Sequence, residues 1–296
     1  MISPLTEGRR SIVVCNGVWA IHQIGDLATY VRFLQDNPQE LKMLFKELLI
    51  GVTRFFRDPE SWEELKAQLV SVIARDHPIK QPMRTWIPGC STGEEAYSLA
   101  MVFKEVQEYF ETSTDLSLQI FATDLDSDAI ENARRGTYVA NLEADVSPER
   151  LSRLFTEEGN GYRVRQDIRD MVVFAPHNLI SDPPFTKLDI LGCRNLLIYL
   201  TPKLQKKLLG LFHYSLNPDG PLFLGRAESI GNSTDLFEPL KTTFPVYRRR
   251  KTSAHTERQT NFPLWDFIFR RMRPGPLRSN RNQARRPKIL RIWPTS

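Results

Sequence analysis

The sequence predicts an α/β protein: a largely parallel sheet with helices, a helical segment before it and a basic tail behind it. Three observations carry that reading. Over the first 75 residues apolar positions recur at helical spacing behind helix-start signals; from Arg84 short apolar runs alternate with amphipathic helices, the pattern of βαβ units; and after Arg250 the periodicity stops. The composition, 41% hydrophobic and 25% charged over 296 residues, is that of a globular chain with room for one large domain or two ordinary ones. No apolar run approaches the roughly 18 residues of a spanning helix, so the expectation is a cytoplasmic protein without membrane insertion. Cys15, Cys90 and Cys193 are odd in number, far apart and without a CxxC pair, which predicts reduced thiols.

In chain order, Asn37-Pro38-Gln39-Glu40 has the N-cap, the first-turn proline and the capping-box acid of a helix start, with Leu41, Leu44, Phe45, Leu48 and Leu49 on one face behind it. Asp58-Pro59 opens a second helix, burying Trp62, Leu65 and Leu69. Thr85–Ile87 reads as a strand, Glu95–Tyr109 as a helix and Leu118–Ala122 as the next strand. Asp126-Ser127 caps a short helix that ends at Arg134-Arg135-Gly136, where glycine supplies the left-handed stop. Ser147-Pro148-Glu149 starts another. Met171–Phe174 and Leu188–Leu191 are strands, Thr201-Pro202 launches a helix through Leu211, and Pro218-Asp219-Gly220 is a turn. Leu222–Leu224 and Phe244–Tyr247 complete the sheet. The resulting division is a helical N-terminal part over 1–75, an α/β domain over 76–250 and a tail over 251–296, rich in Arg, Pro, Asn and Ser, that is predicted to be disordered.

The net charge of +5 is unevenly spread. From Arg248 to Ser296 there are 14 Arg and Lys against Glu257 and Asp266, a net +12, and the chain before them carries 26 basic and 33 acidic residues, a net −7. The basicity belongs to the tail, so the high pI does not argue for a dedicated nucleic-acid site on the folded part.

Trp86-Ile87-Pro88-Gly89-Cys90-Ser91-Thr92-Gly93-Glu94-Glu95 runs from strand to helix through two glycines, the place where an open α/β sheet binds its ligand. It is neither GxGxxG nor a P-loop, which would carry a lysine. Two carboxylates at a helix N-terminus would repel a pyrophosphate; a cationic ligand without phosphates fits better, and S-adenosylmethionine, with its sulfonium, ammonium and ribose, is one. Asp126 is explained as a cap, which leaves Asp124 at the end of the second strand for the ribose hydroxyls. Cys193-Arg194-Asn195 follows a further strand and reaches the same sheet edge.

Thr53-Arg54-Phe55-Phe56-Arg57, Gly89–Glu95, Ala122-Thr123-Asp124-Leu125-Asp126, Asn178-Leu179, Cys193–Tyr199 and Leu222-Phe223-Leu224-Gly225 resemble, in this order, the motifs of CheR-type chemotaxis receptor methyltransferases. The likeness runs from Gln23 to Arg249. It implies a class I (Rossmann-like) methyltransferase sheet behind a small N-terminal helical domain, and methyl transfer from S-adenosylmethionine to glutamates on chemoreceptor cytoplasmic helices. It places Thr53, Arg57, Glu95, Asp124, Asn178, Leu179, Arg194 and Asn195 at the cofactor, and Arg57 and Tyr199 at the reacting groups. Where the family often has Asn two residues before that Thr, this chain has Gly51. Residues 23–70 look especially like the form fused to a methylesterase, a region these 296 residues do not contain.

Rival readings rest on other features. Asp182-Pro183-Pro184-Phe185 resembles the motif of amino-methyltransferases, but it precedes the strand near Leu188 and is expected to be a simple loop. A non-catalytic binding module is the third reading. The connection at Gly159-Asn160-Gly161-Tyr162 is short compared with family members that grip a receptor's C-terminal peptide, so no dependence on such a tether is expected. His22, His77, His177, His213 and His255 lack metal-ligand spacing, so no metal is expected either.

Overall fold

A computed structural model describes residues 27–40, 43–44, 51, 53–74, 81–109 and 116–251. The expectations for the tail beyond 251, for Cys15 and for Leu41, Phe45, Leu48 and Leu49 lie outside the described residues. Helix α1 (Leu27–Asp36) precedes the sequence's first helix signal, and Asn37 turns its amide back to donate to Phe33 O at 2.8 Å. Helix α2 (Pro59–Ala74) starts at the anticipated Asp58-Pro59 and buries Trp62, Leu65 and Leu69.

Strands β1 (Met83–Pro88) and β2 (Leu118–Asp124) flank helix α3 (Glu94–Tyr109). Helix α4 (Ser127–Arg135) has its two expected ends: Asp126 accepts from the amides of Asp128 and Ala129, and Gly136 closes it at φ 64°. There follow β3 (Thr137–Val139), α5 (Pro148–Leu154), β4 (Phe155–Glu158), β5 (Gly161–Val164), α6 (Gln166–Arg169) and β6 (Val172–Pro176). The last elements among the described residues are β7 (Ile190–Cys193), α7 (Pro202–Ser215), β8 (Pro221–Leu224), β9 (Phe237–Pro239) and β10 (Val246–Arg249).

The main sheet runs β6-β2-β1-β7-β8-β10-β9. Numbering its seven strands in chain order gives 3-2-1-4-5-7-6, with the first five parallel and β10 antiparallel to both neighbours. The order reverses between β1 and β7, and the crevice at their C-terminal ends is where such a sheet takes its ligand. Every residue of β7 and β8 is buried, as expected of strands covered on both faces. Helix α3 supplies Ala96, Leu99, Ala100 and Phe103 to the core, and α2 packs against it.

Several boundaries move. β7 begins at Ile190 because Lys187 is left-handed, φ 57°, and the Asp189 side chain caps Arg84 N at 2.8 Å; Leu188 makes only an isolated bridge to Leu216. α7 continues past Leu211 because Phe212 and Ser215 are buried, and it ends where Leu216 turns extended. The last strand starts at Val246, after Phe244 has turned into the core. The connection around Gly159 is a hairpin: β4 and β5 pair across a two-residue turn, and with β3 they form a separate three-stranded antiparallel sheet. These three strands are mostly exposed or half-buried and carry no apolar run, so the sequence gives no strand signal there.

Candidate active site

The crevice at the β1/β7 switch point opens into a cavity of about 330 Å³, inside the roughly 300–1,000 Å³ range of small-molecule sites. All nine residues expected at the site line it: Thr53, Arg57, Glu95, Asp124, Asn178, Leu179, Arg194, Asn195 and Tyr199. They come from segments up to 146 residues apart in the chain. Gly51, Arg54, Ser91 and His177 line it as well.

The floor is the loop from β1 to α3. Gly89 N and Cys90 N donate to Thr123 O at 2.7 and 3.0 Å, fastening the loop to the end of β2. Gly93 sits at φ 95°, where a Cβ would lie 2.9 Å from Ala133 Cβ and 3.0 Å from the Phe174 ring, so only glycine fits. The Asp124 carboxylate accepts Ser91 N on one oxygen at 2.8 Å and Asp126 N on the other at 3.0 Å. Each oxygen keeps lone-pair capacity for a hydroxyl, which fits a ribose diol.

Glu95 stands at the start of α3, half-buried in the lining. Burial pushes its carboxyl up to about 7; the charges of Arg194 and Arg57 oppose that shift, and those of Glu228 and Asp58 reinforce it. A carboxyl held back from ionising by desolvation gains from a cationic ligand in reach. Burial also pushes the thiols of Cys90 and Cys193 well up, so these free cysteines stay neutral.

The opposite wall follows β7. Arg194 is 4% exposed, and its Nη2 donates to Arg57 O at 2.7 Å, Asp58 Oδ2 at 3.0 Å and Ser61 Oγ at 3.1 Å. Its guanidinium also lies 5.2 Å from the rings of Trp62 and Phe223. Arg194 therefore lines the cavity while its polar edge holds the turn that leads into α2. Asn195 is left-handed, φ 57°, and Tyr199, 41% exposed, stands at the mouth. Glu228, which the sequence reading missed, is buried under this loop and accepts from Gly225 N, Asn195 N and Ile198 N at 2.7, 2.8 and 3.3 Å. No spacing signal marks it, because its partners lie three to 33 residues away.

Asn178 opens the loop after β6: its side chain accepts Ile180 N at 3.0 Å, and Asp182 accepts Asn178 N at 2.8 Å, which lowers the Asp182 carboxyl. Asp182 is thus used inside its own turn. Phe185 stacks on Phe121 at 4.5 Å and packs on Trp86, outside the cavity lining. Asp182–Phe185 is the loop expected from the sequence. Among the described residues no group of three or more His, Cys, Asp or Glu could hold a metal, and no helix is long and apolar enough to cross a membrane.

The strand order, the glycine loop and the carboxylate at the end of β2 define a class I methyltransferase fold. Residues 51–246 match the family model described as CheR methyltransferase, SAM binding domain, and the chain belongs to that family. The chain is 39% identical over 234 residues to an uncharacterized 104.1 kDa protein of Rhodobacter capsulatus; the match covers 79% of this chain and only 24% of that longer one. It is 33% identical over 228 residues to the putative methyltransferase Cher3 of Pseudomonas putida, covering 74% of this chain and 80% of the relative. Chemotaxis protein methyltransferase 1 of Pseudomonas aeruginosa is 31% identical over 234 residues, with 78% and 84% covered. The cofactor is S-adenosylmethionine, and the donor set described above, two carboxylates and no phosphate cradle, fits it.

Proposed function

We propose that the protein transfers the methyl group of S-adenosylmethionine to glutamate side chains on chemoreceptor cytoplasmic helices, in chemotaxis adaptation or related signalling. The observation that carries this reading is that Arg57 and Tyr199 open onto the cavity that Glu95 and Asp124 also line. The bound cofactor supplies an electrophilic methyl carbon. An acceptor glutamate, with a pKa of about 4.3, is ionised at neutral pH, so no general base is needed. Arg57 holds that carboxylate by charge-assisted hydrogen bonds and Tyr199 orients it. Because the opposite charges of the reacting groups cancel as the methyl moves, alignment and exclusion of water carry the acceleration. On this reading Thr53, Asn178, Leu179 and Asn195 contact the cofactor, and the short β4–β5 hairpin makes no use of a receptor tail peptide.

The test is calorimetric titration with S-adenosylhomocysteine, wild type against Asp124→Ala, followed by labelled-methyl transfer to chemoreceptor cytoplasmic fragments. Binding that weakens in the variant, with base-labile label on the receptor, is the expected result. Binding without transfer would reject the substrate, and tight binding of a receptor-tail peptide would reject the tether-free reading.

A further inference from the structure

We infer that Glu228 is a positioning residue of the cavity: its single buried carboxylate holds the loop that presents Asn195 and Tyr199 against the turn after β8. This deepens the proposed function and rests on it. Oε2 takes the amides of Gly225 and Asn195, at 2.7 and 2.8 Å, and Oε1 takes Ile198 N at 3.3 Å. The carboxylate joins the C-terminal ends of two adjacent parallel strands, β7 and β8. Gly225 is required for this closeness, since a Cβ there would lie 2.7 Å from Glu228 Oε2 and 2.8 Å from Asn195 N. A buried carboxylate is a costly way to hold a loop, because desolvating a charge is offset only by full hydrogen bonding.

The charge has a second consequence. Glu95 feels Arg194 from beyond β7, Arg57 and Asp58 from the turn before α2, and Glu228 from beyond β8; it in turn acts on the thiols of Cys90 and Cys193. Burial raises Glu95 first, and Glu228 is the largest charge adding to that rise. Glu228 therefore shifts upward the pH at which Glu95 becomes an anion at the cavity wall.

Glu228→Gln retains an acceptor oxygen for Gly225 N and Asn195 N, loses the charge and faces Ile198 N with a donor. S-adenosylhomocysteine binding is measured at pH 6 and pH 8 in wild type, Glu228→Gln and Glu95→Gln, with methyl transfer to a receptor fragment at pH 8. Wild type weakens about tenfold at the lower pH, as a carboxyl titrating near 7 requires, and Glu95→Gln is flat. Glu228→Gln weakens less than about threefold between the two pH values, and at pH 8 it loses roughly tenfold in kcat. A variant with lowered Tm but wild-type kcat and the wild-type pH ratio would show a purely structural carboxylate and overturn the inference. If wild type is itself flat, the cofactor role of Glu95 fails, and the ¹³C titration of its carboxyl decides: an unmoved midpoint in Glu228→Gln overturns the inference. If no receptor fragment accepts methyl from wild type, the substrate reading fails and the pH ratio alone judges Glu228.

Discussion

The two walls of the cavity are built in opposite ways. On the β1–β2 side, polar groups are partnered by nearby backbone and left with spare capacity: Asp124 takes one amide per oxygen, from Ser91 and Asp126. On the β7–β8 side, charged groups are committed to holding distant pieces of chain together, Arg194 across 133 to 137 residues and Glu228 across 30 to 33. The first wall keeps acceptor capacity open toward the cavity, and the second ties the turn before α2 and the turn after β8 to the end of β7. Substitutions on the two walls should therefore fail differently, in affinity on one side and in stability on the other.

The largest effect is expected at Arg194. Arg194→Ala removes a donor to Arg57 O, Asp58 and Ser61 and opens a void between Trp62 and Phe223. Breaking a buried charged contact costs about 3–5 kcal/mol, and the lower end applies because Asp58 keeps some solvent. Urea unfolding is the measurement; a loss below about 1 kcal/mol would mean that this wall is not structural.

Asp124→Ala should do the reverse, with S-adenosylhomocysteine binding falling about 30-fold, the equivalent of roughly 2 kcal/mol for hydrogen bonds to a charged acceptor, and stability changing less than in Arg194→Ala. If stability fell as far as in Arg194→Ala, the contrast between the walls would collapse.

The same contrast explains what could be read from the sequence. The β1–β2 wall lies within contiguous motifs, Gly89–Glu95 and Ala122–Asp126, whose glycines and caps have local causes. The α4 cap at Asp126 and the stop at Gly136 were legible for that reason. Arg194 was legible as a residue of the cavity but not as the clamp on Asp58 and Ser61, since that partnership exists only once the sheet has formed. Glu228 left no trace, and neither did the small sheet at Thr137–Val139, Phe155–Glu158 and Gly161–Val164, whose pairing is set by tertiary contact. Tyr138 shows how: its hydroxyl donates to Thr92 O at 2.8 Å and its ring packs edge-on against Phe55 at 4.8 Å.

Glu95 faces both walls, and its titration reports on them together. Its folded carboxyl sits at about 7, above an ordinary value of 4.5. A raised acid binds more protons in the folded state, so ligand-free stability should fall as pH rises through the window from 4.5 to 7 and stay low above it. Glu95→Gln should remove that slope from a plot of urea midpoint against pH. A slope unchanged by the substitution would assign it to another group.

The smallest effect is expected where the first wall has an open position. Gly51 lines the cavity, and among the described residues a Cβ there would meet Ser91 Oγ at 3.4 Å, a normal contact. The resemblance to the CheR-type motifs makes this a position where a side-chain amide often stands. Gly51→Asn places such an amide beside Ser91, whose backbone N–H already serves Asp124. One added neutral hydrogen bond contributes about 0.5–1.5 kcal/mol, so S-adenosylhomocysteine should bind roughly threefold tighter, with the unfolding midpoint unchanged. Weaker binding would mean that the first wall is already filled by the ligand, and the view of it as a surface with spare capacity would have to be given up at this end of the cavity.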